Sequence, residues 1–98
     1  GAITDKPVRA EITAFFAPPK SVRKKDKIEM LTNRLLPVKK PDCDNIAKIV
    51  LDALNKIAYV DDSQVVELAV KKRYAEKAKV SVHIEEIETE GEYDALAS

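Results

Sequence analysis

The sequence predicts an α+β fold: a small mixed or antiparallel sheet packed with two helices, in a dimeric protein. Three observations carry that expectation. From Val8 to Ala17 apolar and polar residues alternate, the period-two signature of a strand with one buried face. From Asp42 to Lys56 the apolar residues recur at helical spacing instead. The elements run strand, helix, helix, strand, strand, an order that suits helices packed on one sheet. With 98 residues the chain makes one domain with a modest core, which a dimer would supplement.

The first strand places Val8, Ala10, Ile12, Ala14 and Phe16 on one face and Arg9, Glu11 and Thr13 on the other, and Pro18-Pro19 stops it. Ser21 is positioned to cap a helix running to about Asn33, with Val22, Ile28 and Leu31 as its apolar positions. Five basic residues between Lys20 and Lys27 make that element strongly charged. Pro37 to Pro41 is a basic connector bounded by prolines.

The second helix, Asp42 to Lys56, carries one stripe of Ile46, Ile49, Val50, Ala53, Leu54 and Ile57. Asp42 or Asp44 can cap its start, where acidic side chains meet the positive end of the helix dipole. Tyr59 to Ser63 reads as a turn. Gln64 to Tyr74 reads as a strand with Val66, Leu68 and Val70 on one face. Ala75 to Lys77 reads as a hairpin connection to a partner strand over Ala78 to Ile87. The domain therefore covers residues 1–87, and 88–98 form an acidic, flexible tail with little to bury.

Apolar residues make up 45% of the chain, which places it among globular proteins rather than disordered ones. No run approaches the ~18 apolar residues of a membrane span. No signal peptide is in view, and Gly1-Ala2 reads as a processed or engineered start that leaves room for an upstream segment. A single cysteine, Cys43, cannot form an internal disulfide, so a cytoplasmic location is the simplest. The formal net charge of zero hides an asymmetry. Residues 1–80 carry all 17 Lys and Arg against 11 Asp and Glu, whereas residues 81–98 carry six acids and no Lys or Arg. A basic body with an acidic tail suits a polyanionic partner, although a solvated surface with a solubilising tail explains the same pattern.

The chemistry concentrates in Lys40-Pro41-Asp42-Cys43-Asp44-Asn45-Ile46-Ala47-Lys48 and in Asp61-Asp62-Ser63-Gln64-Val65. Asp42 and Asp44 sit one residue apart at a helix start. Lys48 follows Asp44 by one turn, and Asp44, Lys48 and Asp52 line one side of the helix away from the apolar stripe. The 61–62 turn follows the helix and is expected to fold back toward it. Carboxylates in this number suit a hard divalent cation, Mg²⁺ or Mn²⁺, which activates water against a phosphodiester. Lys48 would neutralise charge developing on the phosphate. Each piece also has a structural explanation. An Asp at a helix start is usually a cap, Lys48 and Asp52 can form an i, i+4 ion pair, and Asp-Asp is ordinary turn chemistry. His83 reads as a surface or sheet-packed residue. Cys43 has no partners at zinc-ligand spacing, and the run lacks the Gly and distal Glu of an EF-hand loop.

The stretch Lys40 to Lys72 closely resembles the RusA family of Holliday junction resolvases, often carried by prophages. The family pattern is Lys-Pro-Asp-x-Asp-Asn-x-x-Lys, an Asp-Ala-Leu on the same helix, Asp-Asp-x-Gln-Val and a downstream Lys. Here these are Lys40 to Lys48, Asp52-Ala53-Leu54, Asp61 to Val65, and Lys71 or Lys72. With the strand from Val8 and the strands after Gln64, the resemblance covers most of the chain. It implies a homodimeric endonuclease, dependent on Mg²⁺ or Mn²⁺, that nicks two opposed strands of a four-way DNA junction. Asp42, Asp44 and Asp62 would be the metal-binding acids, Lys48 the essential lysine and Asp61 a helper. Lys39, Lys40 and Lys72 are expected to contact DNA. The chain departs from the pattern in two places. Asn55-Lys56 stands where many relatives have a Gly, and family members carry a further strand and helix before the region that begins here at Gly1.

Three rival readings share parts of this evidence: a general structure-selective nuclease, a catalytically silent nucleic-acid-binding domain, and a plain dimeric structural domain. Metal-dependent cleavage separates the nucleases from the others, and preference for a four-way junction over duplex separates a resolvase from a general nuclease.

Overall fold

The computed structural model describes residues 3–88. Along them run β1 (Val8–Phe16), α1 (Lys24–Leu31), α2 (Cys43–Leu54), a single 3₁₀ turn (Asp62–Gln64), β2 (Val65–Tyr74) and β3 (Lys79–Glu86). Both helices and all three strands fall where the sequence patterns predict them. Of the expected tail, residues 89–98 lie outside the described residues.

The sheet is mixed, in the order β2-β1-β3. β1 pairs with β2 in parallel and with β3 antiparallel, so that Ile12 faces Val70 on one side and Val82 on the other. This corrects the hairpin expectation: β2 and β3 do not pair with each other. The Ala75 N–H donates to the Phe16 carbonyl at 3.0 Å, and the link carries the chain across the end of β1 to its other edge. The cause lies in β1 itself. Val8, Ala10, Ile12 and Ala14 are at most 3% exposed, so its backbone polar groups need partners on both edges. A short link between two strands looks the same in sequence whether they pair or straddle a third.

The parallel β1–β2 pair requires a crossover, which α1 and α2 supply. α2 therefore runs back against the strand direction. Its first residue, Cys43, lies with Sγ 3.8 Å from the Val70 carbonyl, well along β2, while the chain leaving its last turn comes back to the 3₁₀ turn that opens that strand. Ile46 packs on Ile12 and Ala14, with Val50, Leu51, Phe16 and Val70 around them. Burying a side chain such as Ile12 or Ile46 contributes about 1.5–3 kcal/mol. Tyr59 is fully buried beside this core, and its hydroxyl donates to the Leu51 carbonyl at 2.8 Å. Burial raises its pKa, and Asp62, Asp52 and Asp61 add to the effect, so the phenol stays protonated and keeps donating.

α2 is rotated from the face its sequence suggests. Ile46 and Ala47 are buried and Val50 and Leu51 pack behind them, but Ile49 is 63% exposed and Ile57, beyond the helix end, 70%. Among the described residues the three strands do not cover the whole stripe: α2 lies over β1 and β2, and its flank toward β3 is left open. The same shortfall exposes Val66 and Leu68 in β2, of whose predicted inner face only Val70 packs on the core.

α1 is shorter than predicted. Its N-cap is Arg23, without a side-chain capping bond, rather than Ser21. It buries no residue, and Ile28 is exposed. At its end Asn33 takes a φ of 63°, the Arg34 N–H donates to Glu29 and the Asn33 N–H donates to Met30, the paired bonds of a left-handed helix stop.

Candidate metal and nucleic-acid site

Asp42 occupies the N-cap position of α2, yet its side chain accepts no capping hydrogen bond. Asp44 lies in the first helical turn, and Lys48 follows on the same exposed side. The ion pairs within 4.0 Å among the described residues are Arg9–Glu11, Arg23–Asp26 and His83–Glu85, so the Lys48–Asp52 pair is not formed. Two of the structural explanations thus fail at this end of the helix. The Asp42 carboxylate is not a cap, and the Lys48 ammonium has no described carboxylate within ion-pair reach. Both are exposed, and Asp42 lies at the positive end of the α2 dipole.

The basic connector frames the same spot. Lys40, Pro41, Asp42 and Asn45 line an open cleft, and the Lys40-Pro41 peptide is cis. The Lys72 ammonium, from β2, donates to the Lys39 carbonyl at 2.6 Å and ties the connector to the sheet. Lys39, Lys40 and Lys72 therefore gather beside Asp42, at the end of the sheet where β1 and β2 finish.

The second acidic pair lies elsewhere. Asp61 caps the 3₁₀ turn: its Oδ2 accepts from the Ser63 N–H at 3.0 Å, while its own N–H donates to Gln64 Oε1 at 2.8 Å. The Gln64 amide then donates to the Thr4 and Lys6 carbonyls at 3.0 and 2.9 Å. Hydrogen bonds from Ser63 hold the Asp61 carboxyl below its ordinary pKa, and Lys56 assists. Sequence reasoning assigned Asp61 a helper's part and Gln64 none. The Asp-x-x-Gln spacing of a reciprocal cap was the signal that could have shown their structural role.

Asp62 opens this turn, ahead of Val65 at the start of β2, whereas Cys43 meets β2 at Val70, five residues into the strand. At the ~3.3 Å rise of a strand residue this separates the two acidic groups by on the order of 15 Å. Among the described residues no three His, Cys, Asp or Glu side chains gather closely enough to hold an ion. The expectation that Asp62 folds back onto Asp42 and Asp44 does not hold within one chain. The reason is topological: a helix returning between two parallel strands keeps its first and last turns at opposite ends of them. Asp42 and Asp44 suit a hard cation in donor type, but in one chain they are two carboxylates and not three.

A family model described as endodeoxyribonuclease RusA matches residues 2–85. The chain belongs to the RusA family. It is also 46% identical over 85 residues to the uncharacterized protein YqaN of Bacillus subtilis (strain 168), across 83% of this chain and 58% of that protein. The chain thus spans less than two thirds of the length of the curated relative it matches. No solved structure matches it at a significant level. Every residue of the Lys40–Lys72 pattern falls inside the RusA match. The Asn55-Lys56 departure now has a conformation: Lys56 takes a φ of 66°, which a glycine adopts without steric cost. Among the described residues, no helix is long and apolar enough to cross a membrane.

Proposed function

We propose that this RusA-family chain is the catalytic part of a cytoplasmic, metal-dependent endodeoxyribonuclease that resolves four-way (Holliday) DNA junctions by paired, symmetric phosphodiester hydrolysis. The observation that carries this reading is the state of the α2 start. Asp42 sits at a cap position without capping, Asp44 stands beside it, and Lys48, one turn on, has no ion-pair partner among the described residues. Exposed groups left out of structural bonds are available for a ligand.

Asp42 and Asp44 would hold Mg²⁺ or Mn²⁺, which supplies an activated water and charge neutralisation at the scissile phosphate. Lys48 stabilises charge on the phosphate oxygens. Lys39, Lys40 and Lys72 hold the DNA backbone as cations. Asp62 belongs to the metal set only if it comes from a second copy, because its own chain keeps it at the other end of α2. A two-fold homodimer meets that need and gives two symmetric cuts. The uncovered apolar flank supports such a contact: Ile49 of α2 and Val80 of β3, 63% and 55% exposed, border a groove floored by Ala14 and Phe16. The remainder of a longer chain could cover the same flank.

The test is incubation of dimeric protein with labelled four-way junction, with Mg²⁺ or with chelator. Paired nicks at symmetric positions, dependent on metal and absent on duplex, are expected. Cleavage of duplex and junction alike would favour a general nuclease. Binding without cleavage under every metal would favour a silent nucleic-acid-binding domain.

A further inference from the structure

Beside the acidic site lies a second cavity that the junction chemistry does not use. It has a volume of about 170 Å³ and is walled by Phe16 and Tyr74, by Pro19 and Pro37, and by Lys39 and Lys40. Phe16 and Tyr74 are register partners on β1 and β2, so their rings stand side by side on one face of the sheet. Phe15, the neighbouring aromatic, alternates to the opposite face, where the Lys79 ammonium sits 5.2 Å from its ring centre. Nothing among the described cations covers Phe16 or Tyr74 in that way. Pro19 closes the cavity from the segment after β1 and Pro37 from the basic connector, which Lys72 fixes through the Lys39 carbonyl.

We propose that this cavity takes an unstacked nucleobase of the bound DNA, stacked against Tyr74 and Phe16, with Lys39 and Lys40 on the adjoining phosphates. The inference deepens the nuclease reading and rests on it for the identity of the polymer. Flat apolar walls with cations at the rim match a flat aromatic ring attached to a phosphate, and do not match an inorganic anion or an aliphatic chain. Stacking on aromatic side chains tolerates any base, so the cavity would act on DNA structure rather than sequence. Continuity fixes the direction. Lys40 lines both this cavity and the cleft that holds Asp42 and Asn45. A nucleotide whose base is seated here presents its phosphate toward the α2 start. Branch points, where stacking is already interrupted, yield such a base at least cost.

The experiment compares wild type, Tyr74→Leu and Tyr74→Trp by fluorescence anisotropy on a labelled four-way junction in chelator, with melting temperature as the control for folding. Tyr74→Leu should weaken junction binding on the order of tenfold, and Tyr74→Trp should keep it, both at unchanged melting temperature. Equal affinity of Tyr74→Leu and wild type would overturn the proposal while leaving the nuclease reading intact. Should wild type bind no junction, the nuclease reading fails by itself. The cavity is then judged by NMR titration with thymidine monophosphate. Shifts of the Phe16 and Tyr74 ring protons would support it, and unmoved rings would overturn it. If Tyr74→Leu alone unfolds the chain, the same titration of wild type decides.

Discussion

Asp42 and Asp62 stand at opposite ends of α2, separated by roughly the length of that helix. Twelve helical residues span about 18 Å, and no single ion bridges such a gap. If both residues serve one metal, they come from different chains.

Subunit mixing tests this directly. Asp44→Asn and Asp62→Asn should each be inactive alone. In a mixed dimer one site would combine both defects, and the other would combine two intact halves. Mixing the two variants should therefore restore metal-dependent nicking of one strand at a time, read on a denaturing gel. Absence of rescue after verified subunit exchange would rule out a site shared between chains.

At the α2 start, Asp44→Asn should abolish junction cleavage while leaving junction binding intact or slightly tighter, since one negative charge near the phosphates is removed. Lys48→Ala should lower the rate by on the order of 10²–10³. Both side chains are exposed and off the core, so chemical denaturation should place each variant within about 0.5 kcal/mol of wild type. Normal cleavage by purified Asp44→Asn would refute its role.

Gln64 joins the turn to the N-terminal segment through bonds to Asp61, Thr4 and Lys6. Gln64→Ala leaves three backbone groups without their partners and should cost about 1–3 kcal/mol in a urea melt. Gln64→Glu keeps the acceptor for Asp61 but loses the donors to Thr4 and Lys6, and should be destabilised as well.

Lys56 holds a left-handed backbone, which costs a non-glycine residue about 1–2 kcal/mol. Lys56→Gly relieves that cost and gives back part of it through a freer unfolded chain. A net gain of about 0.5–1 kcal/mol is expected from thermal or urea denaturation. A loss of stability would mean that the Lys56 side chain, near Asp61, contributes more than the backbone strain removes.

Asp61 gives a pH signature. Its folded-state pKa is depressed, chiefly by hydrogen bonds from Ser63. Its stabilising contribution is therefore full above the ordinary carboxylate pKa of ~3.9 and declines as pH falls through the lower folded-state value. Asp61→Asn keeps an accepting oxygen for Ser63 but cannot titrate. Its acid-limb stability curve should be flatter than that of wild type, measured by circular dichroism across that range.

The sequence alone determined what depends on neighbours along the chain. Alternation placed β1, helical spacing placed α2, and the acidic and basic residues from Lys40 to Gln64 named the chemistry, because each is written in short-range spacing. It also pointed at the RusA family, since a fixed motif survives without knowledge of the fold. What it left open were questions of distance between segments. Whether β2 and β3 pair or flank β1 depends on which strand buries both edges. Whether Asp42 caps its helix depends on a rotamer that Asp42 and Asp61 could equally adopt, and only Asp61 does. Whether Asp62 reaches Asp42 depends on α2 running against two parallel strands, which fixes its ends apart. Nor does spacing reveal that Phe16 and Tyr74, 58 residues apart, share a wall, because a strand register brings them together across the whole crossover. Those relations belong to the tertiary structure, where long-range pairing and helix direction decide which local groups ever meet.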